Sequence, residues 1–200
     1  MQLLWNRAVH LARHQGIVLA SLLVAALGIW GFIELAGEVM GGDTHAFDEW
    51  AVRSLRRSDN PARPIGPHWI TTAALDITSL GGTAVLFLIT LFVGVFLLLM
   101  GKKNSMWLAW GATITGALLS VVLKEIFDRP RPQVVPHLAE VKSASFPSGH
   151  ALMSAVVYLT LGALLSQFVR QLWVKCYVLG VAVFMTGIIG LTRIFLGVHY

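Results

Sequence analysis

The sequence predicts an all-α protein, a polytopic bundle of membrane-spanning helices, and three observations lead to that fold class. Of the 200 residues, 56% are hydrophobic and only 12% are charged, whereas an ordinary soluble domain is about 25% charged. The apolar residues fall into long uncharged runs. A helix needs about 20 such residues to cross the ~30 Å hydrocarbon core of a bilayer. A disordered chain is therefore excluded, and a water-soluble domain is disfavoured.

Five uncharged runs are long enough to span a bilayer, and none alternates with the two-residue period of a membrane barrel. The predicted spans are residues 15–33, 77–101, 104–123, 151–169 and 176–192. A cleaved signal peptide is the alternative for the first run, but that run is too long for a typical signal and four more spans follow it. We therefore expect one transmembrane domain over residues 1–200.

Loop charges predict a cytoplasmic N-terminus, because cytoplasmic loops carry an excess of Lys and Arg. In that orientation both short inner loops are purely basic and the inner segments hold no acidic residue. The inner basic residues are Arg7, Arg13, Lys102, Lys103, Arg170 and Lys175. The outer side holds nine further basic residues, so a raw count opposes this orientation, whereas the short loops favour it.

Two outer segments, residues 34–76 and 125–147, are too long to be simple turns. The pattern of the first segment predicts a short helix near residues 43–57, which Asp43 would cap. Its apolar side chains share one face and its arginines lie mostly off that face, the pattern of a helix on a membrane surface. A solvated lid helix with a buried Trp is the alternative.

Three groups of polar residues stand at span ends that alternating helices place on one side of the membrane. Lys124 opens the run KEIFDRPRP at the end of the third span. Ser148 and His150 lie in FPSGH, where the fourth span begins, and Arg193 and His199 lie in TRIFLGVH, where the fifth ends. Charged groups next to lipid are costly and are functional candidates for that reason.

The residue types at these ends suit a tetrahedral oxyanion such as phosphate. Lys124, Arg131 and Arg193 supply three cations that bind phosphate oxygens. Ser148 and Gly149 lead into a helix whose free N–H groups attract anions. The two histidines suit a nucleophile and a general acid, and the cations can stabilise phosphoryl transfer.

The same residues predict no metal and no other cofactor. The site holds no carboxylate cluster that resembles a metal cage, and the single cysteine, Cys176, excludes an internal disulfide. Each group alone also has a structural interpretation. Lys124 and Arg131 fit an anionic-lipid patch, and Arg193 fits a side chain that snorkels from a helix end. Their occurrence together favours catalysis.

The three segments resemble the type-2 phosphatidic acid phosphatase superfamily, membrane lipid phosphatases related to vanadium haloperoxidases and glucose-6-phosphatase. The family pattern is K-x6-R-P, then P-S-G-H, then S-R-x5-H-x3-D. Residues 124–132, 147–150 and 192–199 match these motifs in order, with Thr192 in place of the serine. The resemblance covers residues 124–200 by motif and the remainder by its pattern of spans.

The resemblance implies that His199 attacks phosphorus to form a phosphohistidine, and that His150 protonates the leaving oxygen. The implied phosphate-binding residues are Lys124, Arg131, Ser148, Gly149 and Arg193. The implied reaction is metal-independent hydrolysis of a lipid phosphate or diphosphate. Phosphatidic acid, phosphatidylglycerol phosphate, diacylglycerol pyrophosphate and undecaprenyl pyrophosphate all remain open. The expected location is a bacterial inner membrane with the site on its outer face; the partners are the bilayer and the lipid substrate, without nucleic acid.

The third motif departs from the family pattern. The expected acid would be residue 203, and a sixth span usually follows it, so the resemblance implies that the sequence belongs to a longer protein.

A phosphotransferase that uses a lipid or sugar acceptor is one alternative function. A non-catalytic protein that binds or transports anions is another, and a haloperoxidase is disfavoured because those relatives are soluble.

Overall fold

The computed structural model describes residues 2–130, 134–139 and 144–199, with side chains at residue 19 and from residue 22 onward within those ranges. These residues form helices and one isolated β-bridge, and they contain no β-strand. The helices are α1 (Gln2–Gly41), α2 (His45–Ser54), α3 (His68–Ser79), α4 (Thr83–Leu99), α5 (Lys103–Phe127), α6 (Gly149–Gln167) and α7 (Leu172–Phe195). The predicted all-α class is confirmed.

The chain divides into two units, Met1–Ala46 and Phe47–Tyr200. The first unit is α1, a single helix of 40 residues whose segment Leu22–Gly41 is apolar enough to cross a membrane. The helix continues past residue 33, where the predicted span ends. The prediction uses the first carboxylate, Glu34, as a boundary, but a lone acidic residue does not end a helix as Pro or an αL glycine does.

In the second unit, the predicted span of residues 77–101 is replaced by two helices. Helices α3 and α4 together meet the criteria for a membrane span but are bent by 48° at the break between them. The prediction treated Asp76 as a boundary, although Asp76 is an exposed residue inside α3. Residues 68–76, which the sequence predicts to end the first outer segment, therefore lie in a helix.

The break between α3 and α4 packs tightly against two other helices. A Cβ on Gly81 would lie 2.6 Å from Ile189 Cγ2 on α7 and 3.3 Å from the carbonyl oxygen of His150 on α6. The Tyr158 hydroxyl of α6 donates to the Leu80 carbonyl at 2.9 Å, and so partners a carbonyl near the end of α3. Only a residue without a side chain fits where these three helices meet.

Helices α5, α6 and α7 are each long and apolar enough to cross a membrane. Helix α6 packs against α5 and α7, and α5 packs against α4. Compared with the predicted spans, α5 runs past Lys124 and α7 runs past Arg193. These polar residues therefore lie in the last turns of helices rather than in the loops that follow.

Helix α2, His45–Ser54, lies where the sequence predicts a short amphipathic helix. Its buried residues are Asp48 and Val52, while Phe47 and Trp50 are 66% and 63% exposed. The alternative of a lid helix with a buried Trp is therefore wrong for Trp50. Attachment of this helix to a membrane surface stays a prediction.

Candidate active site

Lys124 contacts the start of α6. It lies in the last turn of α5, and its Nζ is 3.2 Å from the position that a Cβ on Gly149 would occupy. Ser120 Oγ, one turn earlier on α5, is 3.4 Å from the same position. The first two predicted motifs therefore meet, with a cation beside the N-terminus of a long helix. Both the cation and the exposed helical N–H groups favour an anion there.

Ser148 is the N-cap residue of α6. Its Oγ accepts a hydrogen bond from the Ala151 N–H at 3.4 Å, as N-cap serines commonly do. The preceding Phe146–Pro147 peptide bond is cis. The Phe146 ring packs edge-on against Phe127 of α5, with 5.1 Å between the ring centroids. The PSGH segment is thereby fixed beside the end of α5.

Arg193 is buried, with 4% of its surface exposed. Its Nη1 donates to Thr78 Oγ1 on α3 at 3.4 Å, and Thr78 is also buried. Sequence reasoning missed Thr78, because nothing in the sequence indicates which of the span hydroxyls meets an arginine 115 residues away.

His199 is also buried, and its ring Nδ1 is hydrogen-bonded to the backbone carbonyl of Ser145. A carbonyl oxygen can only accept, so Nδ1 carries the proton and the neutral ring has its lone pair on Nε2. This tautomer is the one that a histidine nucleophile needs. In this structure the backbone carbonyl of Ser145 orients the ring.

Ser145 in turn is held by the loop that follows α5. Its N–H donates to the Arg129 carbonyl at 2.9 Å. Its hydroxyl lies within hydrogen-bonding distance of two carbonyls, that of Arg129 at 3.1 Å and that of Pro130 at 2.7 Å. The residue is buried. Sequence reasoning missed Ser145 because it lies two positions before the PSGH motif and has no motif signature of its own.

Arg129 forms an ion pair with Asp48 of α2. Its Nη2 donates to Asp48 Oδ2 at 2.6 Å, and the two side chains are 8% and 12% exposed. Buried charges are stable only when they are paired and hydrogen-bonded. The pair therefore connects α2 to the loop of the first motif. Sequence reasoning gave Arg129 no chemical role.

These contacts join the three motifs at one end of α5, α6 and α7. The first and second motifs meet through Lys124 and Gly149, and the third joins them through Ser145 and His199. His150 follows Gly149 in the first turn of α6. Arg131, the remaining predicted phosphate-binding residue, lies outside the described residues. Among the residues that the structure describes, no three His, Cys, Asp or Glu side chains cluster as a metal site.

Comparisons with known proteins show what this chain is similar to. The family model described as the PAP2 superfamily matches residues 104–200. Phosphatidylglycerophosphatase B of Bacillus subtilis (strain 168) is 32% identical over 142 residues, which are 66% of this chain and 65% of that protein. The chain thus matches just under two thirds of that relative's length.

A solved structure is also similar. The crystal structure of a transmembrane PAP2 type phosphatidylglycerolphosphate phosphatase from Bacillus subtilis matches with a TM-score of 0.75 and 28% identity. The match covers 84% of this chain and 80% of that one. The likeness therefore extends beyond the motif-bearing helices that the family model covers.

Proposed function

We propose that this chain, whose residues 104–200 match the PAP2 superfamily model, is a membrane phosphatase that hydrolyses lipid phosphates without a metal. The observation that carries the proposal is the contact of His199 Nδ1 with the Ser145 carbonyl. This bond sets the tautomer of a buried histidine, and its acceptor, Ser145, lies on the loop that leads into the anion-favouring start of α6. The other residues of the site supply the charges that phosphoryl transfer requires.

The proposed reaction has two steps. His199 Nε2 attacks phosphorus, the bond from phosphorus to the lipid oxygen breaks, and His150 gives its proton to that oxygen. Water then attacks the phosphohistidine, gives a proton to His150, and the phosphorus–nitrogen bond breaks to release phosphate. Both steps are therefore balanced by proton exchange with one histidine.

The proposed oxyanion contacts come from the last turns of α5 and α7 and from the start of α6. Lys124, Arg193 and the Gly149 N–H would hold phosphoryl oxygens, and Arg131 would join them. Ser148 would act mainly through the start of α6, because its hydroxyl already accepts from Ala151. Negative charge that develops on the phosphoryl group would be stabilised by groups already in place.

Phosphatidylglycerol phosphate is the proposed substrate to test first, because the names of both relatives refer to it. Phosphatidic acid, diacylglycerol pyrophosphate and undecaprenyl pyrophosphate are the other candidates. We place the protein in a bacterial inner membrane. The basic residues of the short inner loops support an active site on the outer, periplasmic face.

The test is phosphate release from these four lipids by the full chain in detergent, with excess EDTA. We expect release in EDTA and its loss in His199→Ala and His150→Ala, because each removes a proposed reacting group. His68→Ala, which changes an exposed histidine at the start of α3, is the matched control. Release only when an acceptor is added would identify a phosphotransferase instead. Binding of phosphate without turnover in folded protein would identify an anion-binding protein.

A further inference from the structure

Arg56 differs from its neighbouring arginines in burial. It follows α2 in a short hairpin closed by a bridge between Arg56 and Pro64. Arg53 and Arg57 have largely exposed side chains that pair with Glu49 and Asp59. Arg56 is only 6% exposed. Sequence reasoning placed these arginines together, off the apolar face of the helix, and did not separate Arg56 from the rest.

The Arg56 guanidinium lies against the turn that leads to His199. Its Nη1 donates to the Phe195 carbonyl at 2.8 Å, across 139 residues of sequence. Its Nη2 is 2.5 Å from the position that a Cβ on Gly197 would occupy. Gly197 also has a φ of +71°, a backbone conformation that side chains disfavour. The turn and the guanidinium thus fit together only with glycine at residue 197.

The Phe195 carbonyl belongs to the last residue of α7. The last four carbonyls of a helix have no partner within the helix, and a cation near them interacts favourably with the helix dipole. Arg56 supplies such a cation from another part of the chain. The contact therefore ends α7 and sets the direction of the four residues that follow, the last of which is His199.

The burial of Arg56 is costly for a stability role alone. Within the described residues no carboxylate forms an ion pair with it, and its Nε and Nη2 are buried with no hydrogen-bond partner. A buried cation without a paired anion loses hydration, and the two carbonyls that Arg56 Nη1 contacts, Phe195 at 2.8 Å and Leu55 at 3.4 Å, do not replace it. Well-packed apolar residues would hold two loops together at lower cost.

We infer that Arg56 is a positioning residue for His199: it holds the turn after α7 so that the histidine ring lies in its reactive orientation. This inference rests on the proposed function, since it assigns His199 to the reaction. Arg56 acts through the Phe195 carbonyl and the Gly197 turn, so it is expected to affect the chemical step rather than substrate binding.

The test compares Arg56→Met with Arg57→Met in the full chain. The second variant removes an exposed arginine from the adjacent position and is the matched control. Loss of a charged hydrogen bond predicts a fall in kcat of about tenfold for Arg56→Met, with KM within about twofold, since a positioning role leaves ground-state binding intact. Arg56→Lys keeps a donor and a charge, so it is expected to recover part of kcat.

Hydrogen exchange gives a readout that does not depend on activity. The amides of residues 196–199 are expected to exchange about tenfold faster in Arg56→Met than in Arg57→Met, because the turn opens more often. A KM increase with kcat unchanged would overturn the proposal in favour of direct substrate binding. Unchanged kcat and exchange would also overturn it.

The two ideas fail separately. If the wild-type chain releases no phosphate, the proposed function fails, and faster exchange at residues 196–199 still supports the Arg56 contact. If Arg56→Met does not fold, the comparison is made with Arg56→Lys and Arg56→Gln, which keep polar donors at that position. Wild-type kcat and wild-type exchange in both of those variants would then count against the proposal.

Discussion

The ring of His199 and the backbone carbonyl of Ser145 are hydrogen-bonded, although 54 residues separate them in sequence. Ser145 is itself bonded to the Arg129 and Pro130 carbonyls. The orientation of the proposed nucleophile therefore depends on the loop of the first motif. A change in that loop is expected to alter catalysis even when it touches no substrate.

Ser145→Ala tests this dependence. The change keeps the carbonyl that binds His199 but removes a hydroxyl that lies 2.7 Å from the Pro130 carbonyl. One such hydrogen bond contributes about 1 kcal/mol, so we expect kcat for lipid phosphate to fall about fivefold while KM changes little. Ser166→Ala removes an exposed hydroxyl that is bonded within α6 and serves as the control. Equal kcat in both variants would show that the loop does not position His199.

Loss of the ion pair between Asp48 and Arg129 is expected to lower the free energy of unfolding strongly. Removal of one partner from a buried pair costs about 3–5 kcal/mol, because the other charge remains buried. Asp48→Ala should lower the unfolding midpoint in detergent strongly, and the reversed pair in Asp48→Arg with Arg129→Asp should restore part of it. Glu49→Ala breaks an exposed pair with Arg53 and should cost under about 1 kcal/mol. Similar midpoints for Asp48→Ala and Glu49→Ala would contradict the prediction.

The sequence predicted the helices that carry the site better than it predicted the rest. Long apolar runs place α5, α6 and α7, because a membrane helix of this length needs a continuous apolar stretch. The ends were less accurate. The charge pattern predicts boundaries at Glu34 and Asp76, yet both lie within helices, since an ionisable side chain near a span end does not break the backbone hydrogen bonds.

The contacts that hold the site were not predictable in the same way. Thr78 and Ser145 reach their partners across 115 and 54 residues. Their own sequence neighbourhoods carry no sign of this. Arg56 has the same residue type and a similar setting to Arg57, and only the tertiary fold buries one and exposes the other. Motif spacing indicates the groups that we propose to bind phosphate, whereas packing determines the groups that support them.

The variant Gly149→Ala is expected to lose activity without losing stability. An alanine side chain would lie 3.2 Å from Lys124 Nζ, which must then move by a few tenths of an ångström. Misplacement of a catalytic group by 1 Å can cost about 100-fold in rate, so we expect kcat/KM to fall about tenfold. Alanine is a better helix former than glycine, and the unfolding midpoint should not fall. Gly187→Ala, where no atom lies within 4 Å of the new Cβ, should leave kcat/KM unchanged; a parallel fall there would refute the Lys124 explanation.

Replacement of Thr78 is expected to weaken phosphate binding, because Thr78 accepts a hydrogen bond from Arg193. Thr78→Val keeps the shape of the side chain and removes the acceptor, so the buried guanidinium loses one of the groups that orient it. A hydrogen bond of this kind is worth about 1 kcal/mol, which corresponds to about a fivefold rise in the inhibition constant of inorganic phosphate. Thr72→Val changes an exposed threonine on the same helix, whose hydroxyl is bonded only weakly, at 3.5 Å, to the His68 carbonyl, and should leave the constant unchanged. If both variants bind phosphate as the wild type does, Arg193 does not depend on α3 for its position.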